Sequence, residues 1–356
     1  MHRSSRALCV ALAIAFFTAP RLASGQTQAS PPPFRPGEVL PDTSGVAVNA
    51  HGPGFLFDHG TYYWFGEVMT PGTQGNQPHV GVSCYSSKDL YHWKNLGVVL
   101  DQKHPVNDLT ETSVVERPKV LFNRSTRQYV MWFHLEQTNH AIYGKAALVG
   151  VAVSKHAAGP YKYLRSFQPD GEESRDMTLY QDDDGKAYLV TASEGNHATH
   201  VSELDSTYLG TTGHWKAIFS GVQLEGQAIF KYLGKYYFVG SHCTGWAPNL
   251  AVSAVADSIW GPWTMLGNPA RGPNEGLTFG AQSSYVIPFA GHSGAFIFVA
   301  DRWRPENPID GRYIFLPIHF HEQGFTVDWT DQWDLSVFDQ TERGQASKTL
   351  HKGPSL

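Results

Sequence analysis

The sequence predicts an all-β protein, built as a five-bladed β-propeller. One strand pattern recurs five times at intervals of about 50 to 70 residues, the length of a four-stranded propeller blade with its loops. The composition agrees, because 13% of the residues are aromatic, 35 are glycine and 22 are proline, whereas only 17% are charged. Aromatic residues favour strands, and glycine and proline favour tight turns. No segment of the sequence has a sustained helical period.

Each copy of the pattern starts at a small or charged turn residue and continues as an aromatic or β-branched strand. The five copies occupy residues 60–66, 127–133, 185–190, 234–239 and 294–299. Four of them are followed by a further strand, at residues 80–85, 149–153, 249–253 and 313–317. Turns that end in an aromatic residue lie at 89–93, 158–161, 213–215 and 260–263. A β-sandwich of this length also has many short strands, but not this fivefold order.

The two ends of the chain do not follow the blade pattern. Residues 1–25 have the order of a secretory signal peptide, in which Arg3 and Arg6 precede an apolar run and small residues follow it. We therefore expect a secreted or periplasmic protein whose mature chain begins near Gln26. The apolar run is shorter than the roughly 20 residues that span a bilayer, so we expect no membrane anchor. The rest divides into a proline-rich leader, a catalytic propeller domain and a polar tail, at residues 26–43, 44–338 and 339–356.

Charge and cysteine content narrow the range of partners. The formal net charge is -5 and no basic cluster is present, which argues against nucleic acid and anionic membranes and favours a neutral ligand. Outside the signal peptide, Cys84 and Cys243 remain. In an oxidising compartment they can form one disulfide bridge, but both lie in apolar strand-like segments, where two buried free thiols are an equal alternative.

Polar residues that precede each aromatic strand are the candidates for chemistry. The first strand of every propeller blade lines the central channel, so these residues converge at one mouth. The segments are residues 49–52, 115–119, 174–177, 224–228 and 279–284. Three of them carry a carboxylate, at Glu116, Asp176 and Glu225. Desolvation and proximity raise the pKa of at least one such acid, and glycoside hydrolysis needs one neutral carboxylic acid beside a second group that activates water.

Five sequence blocks resemble glycoside hydrolase family 43, and more narrowly its exo-β-1,3-galactanase branch. They are ERPK, SRDM, CTGWAPN, FGAQS and DRW, at residues 116–119, 174–177, 243–249, 279–283 and 301–303. The resemblance extends from about His51 to Phe338. It implies an inverting enzyme without a cofactor that releases galactose from the β-1,3-galactan backbone of arabinogalactans. Some members of the family hold a calcium ion in the channel, and a structural calcium stays open here.

The resemblance also implies roles for four residues. Glu225 matches the general acid, and Asp176 matches the acid that orients it and tunes its pKa. Most of the family has an aspartate base on the first blade, but residues 48–51 contain none, as in the galactanase branch. In that branch the glutamine that matches Gln282 is proposed to act in place of the base, as an imidic acid tautomer. The alternative is that Glu116 activates the water and Gln282 holds it.

Further residues are expected around the sugar. Trp246 and Tyr143 offer a flat apolar face to the ring. Hydrogen bonds to the sugar hydroxyls are expected from Arg117, Thr244, Asn196, Glu67 and His51. The histidine pairs of the chain lack a matching set of ligands, so no metal site is predicted. The acidic run at residues 182–184 is interpreted as a hairpin turn.

Two alternative functions remain. The first is an α-L-arabinofuranosidase or β-xylosidase on the same fold, which the missing first-blade aspartate disfavours. The second is a sugar-binding propeller without catalysis, which the same absence supports. Glu225 and Asp176 argue against the second, because a lectin has little use for an acid with a tuned pKa. The expected partner is β-1,3-galactan or arabinogalactan, bound by a monomer.

Overall fold

The computed structural model describes residues 32–72, 75, 80–103, 106–137 and 146–339. The predicted signal peptide, the first residues of the leader, Tyr143 and the tail from residue 340 lie outside this range. Strands dominate the described part, which contains three 3₁₀ helices, at Pro169–Gly171, Glu275–Gly280 and Pro308–Asp310. None of its helices has the length and apolar character needed to cross a membrane.

Twenty-one strands of the described chain form five sheets. The first sheet contains β1 (His51–Asp58), β2 (Thr61–Glu67), β3 (Gly81–Ser87) and β4 (Lys94–Asp101). The second contains β5 (Ser113–Asn123), β6 (Gln128–Gln137), β7 (Leu148–Ser154) and β8 (Lys162–Phe167). The third contains β9 (Met177–Gln181), β10 (Ala187–Ser193), β11 (Ala198–Leu204) and β12 (Thr211–Ala217).

The last two sheets complete the set. The fourth contains β13 (Leu224–Tyr232), β14 (Lys235–His242), β15 (Ala251–Ala256) and β16 (Thr264–Gly267). The fifth contains β17 (Ala270–Arg271), β18 (Gln282–Pro288), β19 (Phe296–Arg302), β20 (Arg312–His321) and β21 (Gly324–Asp328). Neighbouring strands are antiparallel, except that β17 pairs with β21 in parallel.

The five sheets are the blades of a closed ring. The innermost strand of each blade packs against the innermost strand of the next, in the order β1, β5, β9, β13, β18 and back to β1, while β17 lies at the opposite edge of the fifth sheet. These strands therefore surround a central channel. The aromatic segments of the sequence are the second strands β2, β6, β10, β14 and β19. The predicted five-bladed β-propeller is confirmed.

Buried tryptophans on the second strands hold the blades together. Trp64 of β2 is fully buried, meets Tyr313 of the fifth blade edge-on at 4.6 Å, and donates a hydrogen bond to the Ala50 carbonyl. Trp132 of β6 is fully buried and donates to the Tyr208 carbonyl of the third blade at 2.8 Å. Each aromatic ring of this size contributes roughly 1.5–3 kcal/mol by burial. The Trp64 N–H finds its partner within the first blade, whereas the Trp132 N–H finds one across the boundary to the third blade.

The described part of the leader packs against the last strands. Phe34 pairs with Trp333 through two backbone hydrogen bonds of 2.8 and 3.2 Å, and their rings stack at 4.4 Å. Phe34 also stacks on Phe315 of β20 at 5.9 Å. The contact joins an early and a late segment of the chain beside the boundary between the first and fifth blades.

Two local expectations have a structural answer. Residues 182–184 form the turn between β9 and β10, where Asp182 accepts a hydrogen bond from the Lys231 ammonium at 2.6 Å, so the interpretation as a turn is confirmed. Cys84 and Cys243 are both free thiols. Cys84 is buried in the core of the first blade, whereas Cys243 follows β14 and is half-buried.

Candidate active site

A cavity of about 290 Å³ lies at the mouth of the channel. Seven of the predicted site residues line it, namely Glu67, Glu116, Arg117, Asp176, Glu225, Trp246 and Gln282. All five blades contribute to this set. Two blades contribute two residues each: β5 carries Glu116 and Arg117, and the fourth blade carries Glu225 and Trp246. The expectation that inner-strand residues converge at one mouth therefore holds for the three carboxylates.

A repeated β-bulge aims the site residues. In three blades the innermost strand has two residues facing one on the partner strand, between the paired residues 51 and 54, 116 and 119, and 225 and 228. The first of these two residues is left-handed, with φ of 56° at Gly52, 52° at Arg117 and 62° at Gly226. A Cβ on Gly226 would lie 2.6 Å from the Ser283 carbonyl oxygen, so this position requires glycine. Bulges bend a strand and redirect its side chains. Glu116, Arg117 and Glu225 reach the cavity from two of these bulges.

Glu225 is surrounded by uncharged donors. Its Oε1 accepts hydrogen bonds from Asn196 Nδ2 at 2.8 Å and from the Cys243 thiol at 3.2 Å. Its Oε2 lies 3.3 Å from Gln282 Nε2, which donates to it. Burial, and after it the negative charge of Asp176, raise the pKa of Glu225 to about 7. About half of the carboxyl groups with this pKa hold a proton at neutral pH, so Glu225 can act as a general acid.

Asp176 faces a cation and an amide instead. The Arg117 guanidinium donates from Nε to Asp176 Oδ1 at 2.8 Å. Asp176 Oδ2 accepts the backbone N–H of Gly226 at 2.9 Å. Asp176 is thereby fixed beside the residue that follows Glu225, at a position from which its charge raises the pKa of that acid.

Gln282 has its amide orientation set by four contacts. Its Oε1 accepts from Arg117 Nη2 at 2.5 Å and from Trp303 Nε1 at 3.1 Å. Its Nε2 donates to Ser241 Oγ at 3.0 Å, in addition to Glu225. Trp303 also lines the cavity but was not predicted as a site residue, although it ends the DRW block of the sequence.

A buried histidine stands behind Glu116. His134 Nε2 lies 3.7 Å from Glu116 Oε2 and 3.4 Å from Glu136 Oε1, and its Nδ1–H donates to the Ser174 carbonyl at 2.7 Å. Burial by itself would lower the pKa of His134, but the hydrogen bond to Glu136 and the charge of Glu116 raise it above the ordinary value. His134 and Glu136 were missed from the sequence, because they lie on the second strand β6 and not at the start of a first strand.

Glu67, which lines the cavity, and Lys119, which does not, are both buried. Glu67 Oε1 accepts the backbone N–H of Arg117 at 2.8 Å, and burial followed by the charge of Glu116 raises the pKa of Glu67 well above its usual range. Lys119 donates to the Gly52 and Arg117 carbonyls, both at 3.2 Å, and burial lowers its pKa to about 7. The ammonium thus ties together two left-handed bulge residues of adjacent blades.

Three residues expected to bind the sugar are placed elsewhere. His51 is fully buried and does not line the cavity; its ring stacks on Tyr313 at 5.3 Å. Thr244 is exposed, and its hydroxyl closes a loop by donating to the Ala247 carbonyl at 2.7 Å. Asn196 contacts Glu225 and is not among the residues that line the cavity. Across the residues that the structure describes, no group of three or more His, Cys, Asp or Glu has the arrangement of a metal site.

Known proteins similar to this chain share the propeller. A solved family 43 β-1,3-galactosidase with galactodeoxynojirimycin is 38% identical, with a TM-score of 0.80 over 85% of this chain and 100% of that one. An exo-β-1,3-galactanase from Phanerochaete chrysosporium with β-1,3-galactotriose is 35% identical, with a TM-score of 0.78 over 85% of this chain and 68% of that one.

A curated relative carries a different activity in its name. The xylan 1,3-β-xylosidase of a Vibrio species is 24% identical over 334 residues, which are 85% of this chain and 56% of the relative. This chain therefore spans little more than half the length of that protein. Residues 46–303, most of the propeller, match the glycosyl hydrolases of family 43. A solved member is also 38% identical over 85% of this chain. The chain therefore belongs to glycosyl hydrolase family 43.

Proposed function

We propose that the protein is an inverting exo-β-1,3-galactanase, which removes galactose from the end of the β-1,3-galactan backbone of arabinogalactans. The observation that carries the proposal is the half-buried Glu225, with its pKa raised to about 7, beside the ion-paired Asp176 in one cavity. Action at a chain end follows the names of the similar proteins, of which one is an exo-β-1,3-galactanase.

The choice of galactan depends on the similar proteins. The solved structures at 35–38% identity are named a β-1,3-galactosidase and an exo-β-1,3-galactanase. The relative named for xylan is only 24% identical. The first blade supports the same choice, because residues 48–51 offer no aspartate.

Glu225 supplies the proton in the proposed reaction. As the bond between the sugar carbon C1 and the bridging oxygen breaks, Glu225 protonates that oxygen and becomes a carboxylate. Water attacks C1 from the opposite face, and its proton passes to the base. The anionic Asp176 keeps Glu225 protonated until this step.

We assign activation of the water to Glu116 and its positioning to Gln282. An imidic acid at Gln282 would carry a proton on Oε1, where Arg117 and Trp303 already donate. That tautomer therefore requires one donor to be displaced. Glu116 lines the same cavity as a carboxyl group and needs no such rearrangement.

The test is NMR of the first product from unbranched β-1,3-galactan. Wild type should release α-galactose, and Glu225→Gln should release almost none. Glu116→Gln should be rescued by azide with formation of a galactosyl azide, whereas Gln282→Ala should not.

Initial β-galactose would refute inversion. A wild type that is inert on galactan but cleaves aryl xylosides or arabinofuranosides would refute the proposed substrate. Binding of galactan without any product would favour the sugar-binding alternative.

Secretion and the oligomeric state are also proposals. The order of residues 1–25 supports secretion, and N-terminal sequencing of protein from the culture medium or periplasm should begin near Gln26. The protein is proposed to act as a monomer. Light scattering at assay concentration should then give a mass close to that of one chain.

A further inference from the structure

We propose that Asn196 and Cys243 are positioning residues that decide which oxygen of Glu225 carries the acid proton. They occupy Oε1 as donors, so the proton resides on Oε2 and leaves from there. The inference rests on the proposed function and adds two residues that act through the acid, not on the sugar.

The two oxygens of Glu225 have different surroundings. Two donors converge on Oε1, Asn196 Nδ2 at 2.8 Å and the Cys243 thiol at 3.2 Å. Oε2 has the longer contact of 3.3 Å with Gln282 Nε2. A neutral carboxyl group has one carbonyl oxygen, a strong acceptor, and one hydroxyl oxygen, a weak one. The donors therefore stabilise the form in which Oε1 is the carbonyl and Oε2 is the hydroxyl.

Asn196 is brought to Glu225 by the neighbouring blade. It lies in the turn between β10 and β11 with φ of 68°, a left-handed conformation that asparagine tolerates better than most residues. The backbone carbonyl of Asn196 accepts the Leu224 N–H at 3.3 Å, and this bond ties the turn to the strand that carries Glu225. The side-chain amide is thus held by backbone contacts across the blade boundary.

Cys243 is brought there by its own blade. It follows β14, in which Ser241 is the partner of Glu225. Burial raises the pKa of the Cys243 thiol, so the sulfur keeps its proton at neutral pH and is available as a donor. Asn196 Nδ2 also lies 3.4 Å from the sulfur, and this contact orders the two donors relative to each other.

The proton balance of the step follows from this arrangement. The Oε2 proton moves to the bridging oxygen, which keeps the electrons of the broken C1–O bond. The water that adds to C1 gives its proton to the base, and Glu225 is left as a carboxylate. Both donors remain on Oε1 and stabilise the new charge.

The test compares a β-1,3-galactan oligosaccharide with β-galactosyl fluoride, whose leaving group departs with little proton assistance. Asn196→Gly keeps the left-handed backbone and removes the amide. We expect it to lose about 10- to 100-fold in kcat/KM on the oligosaccharide and less than threefold on the fluoride. Cys243→Ala should lose about three- to tenfold in the same pattern, and Cys243→Ser should recover to within about threefold of wild type.

The pH profile gives a second readout. The charged groups that face Glu225 are Asp176 and Arg117, and both stay unchanged in these variants. The Cys243 hydrogen bond lowers the pKa of Glu225, so Cys243→Ala should move the alkaline limb of kcat/KM to higher pH. A variant that merely loosened the site and admitted water would move the limb to lower pH, because desolvation is what raises this pKa.

Cys84→Ala is the matched control, since it removes a buried thiol from the core of the first blade. It should retain the wild-type ratio of kcat/KM between the two substrates.

Equal losses on both substrates in Asn196→Gly and Cys243→Ala would overturn the inference. A Cys243→Ser variant that is no more active than Cys243→Ala would also overturn it. If wild type instead prefers another glycoside, the proposed function fails, and the variants are then judged on that glycoside against its fluoride.

Discussion

The first and fourth blades share a backbone device and differ in the chemistry placed on it. Both first strands begin with the same bulge, His51-Gly52 and Glu225-Gly226, and both glycines are left-handed. Glu225 lines the cavity, whereas His51 lies beneath the Gly311 backbone, where a Cβ would come within 2.5 Å of the ring. The fold therefore supplies equivalent positions, and neighbouring residues decide which of them reaches the substrate.

The largest expected effect is at the fourth-blade acid. Glu225→Gln preserves shape and removes the proton, so kcat/KM on β-1,3-galactan should fall by about 10²- to 10⁴-fold. Activity on β-galactosyl fluoride should fall far less, because that leaving group needs little protonation. Steady-state kinetics on both substrates check this prediction. Equal losses on the two would mean that Glu225 is not the acid.

The next largest effect is expected at Asp176 of the third blade, since residues 48–51 of the first blade carry no aspartate. Asp176→Asn removes the anion that, after burial, raises the pKa of Glu225. The pKa of Glu225 should fall, less of the acid is protonated at pH 7, and the alkaline limb of kcat/KM should move to lower pH. We expect kcat at pH 7 to fall by about 10- to 100-fold. An unmoved limb in the pH profile would show that Asp176 acts only through its contact with Gly226.

The bulge glycines give a direct test of the shared device. An alanine Cβ at Gly226 would meet the Ser283 carbonyl at 2.6 Å, and at Gly52 it would meet Glu67 Oε1 at 2.2 Å. Each change should lower the free energy of unfolding by about 1–3 kcal/mol, measured by urea denaturation. Gly226→Ala should also lower kcat more than tenfold, because it displaces the neighbour of Glu225. A larger loss of kcat in Gly52→Ala would reverse the assignment of the two blades.

The smallest effect is expected at His51. His51→Gln keeps a polar side chain at a position that does not line the cavity, so both kcat and KM should stay within about threefold of wild type. Thermal unfolding should show a modest fall in Tm, since the ring packs on Tyr313. A tenfold rise in KM would show that His51 reaches the sugar after all.

Sequence reasoning located the carboxylates and several neighbouring residues, but not the contacts between them. Glu116, Asp176 and Glu225 recur just before the aromatic strand of their blades, and this recurrence is visible in the sequence. Asn196 was expected at the sugar and instead donates to Glu225 from a hairpin turn. Trp303 follows β19 and ends the DRW block, but nothing in that block predicts its contact with Gln282. His134 and Glu136 lie on a second strand, where most residues are core.

The sequence by itself determined the five-bladed propeller, the strands that carry the aromatic core and the inner-strand positions of the three acids. These depend on patterns of period two and on the spacing between blades, which a linear chain displays directly. Only the tertiary structure decided that His51 is covered, that Cys243 is a free thiol beside Glu225, and that Arg117 joins Asp176 to Gln282. Each of these is a contact between residues far apart in the chain, and its geometry exists only once the ring of blades has closed.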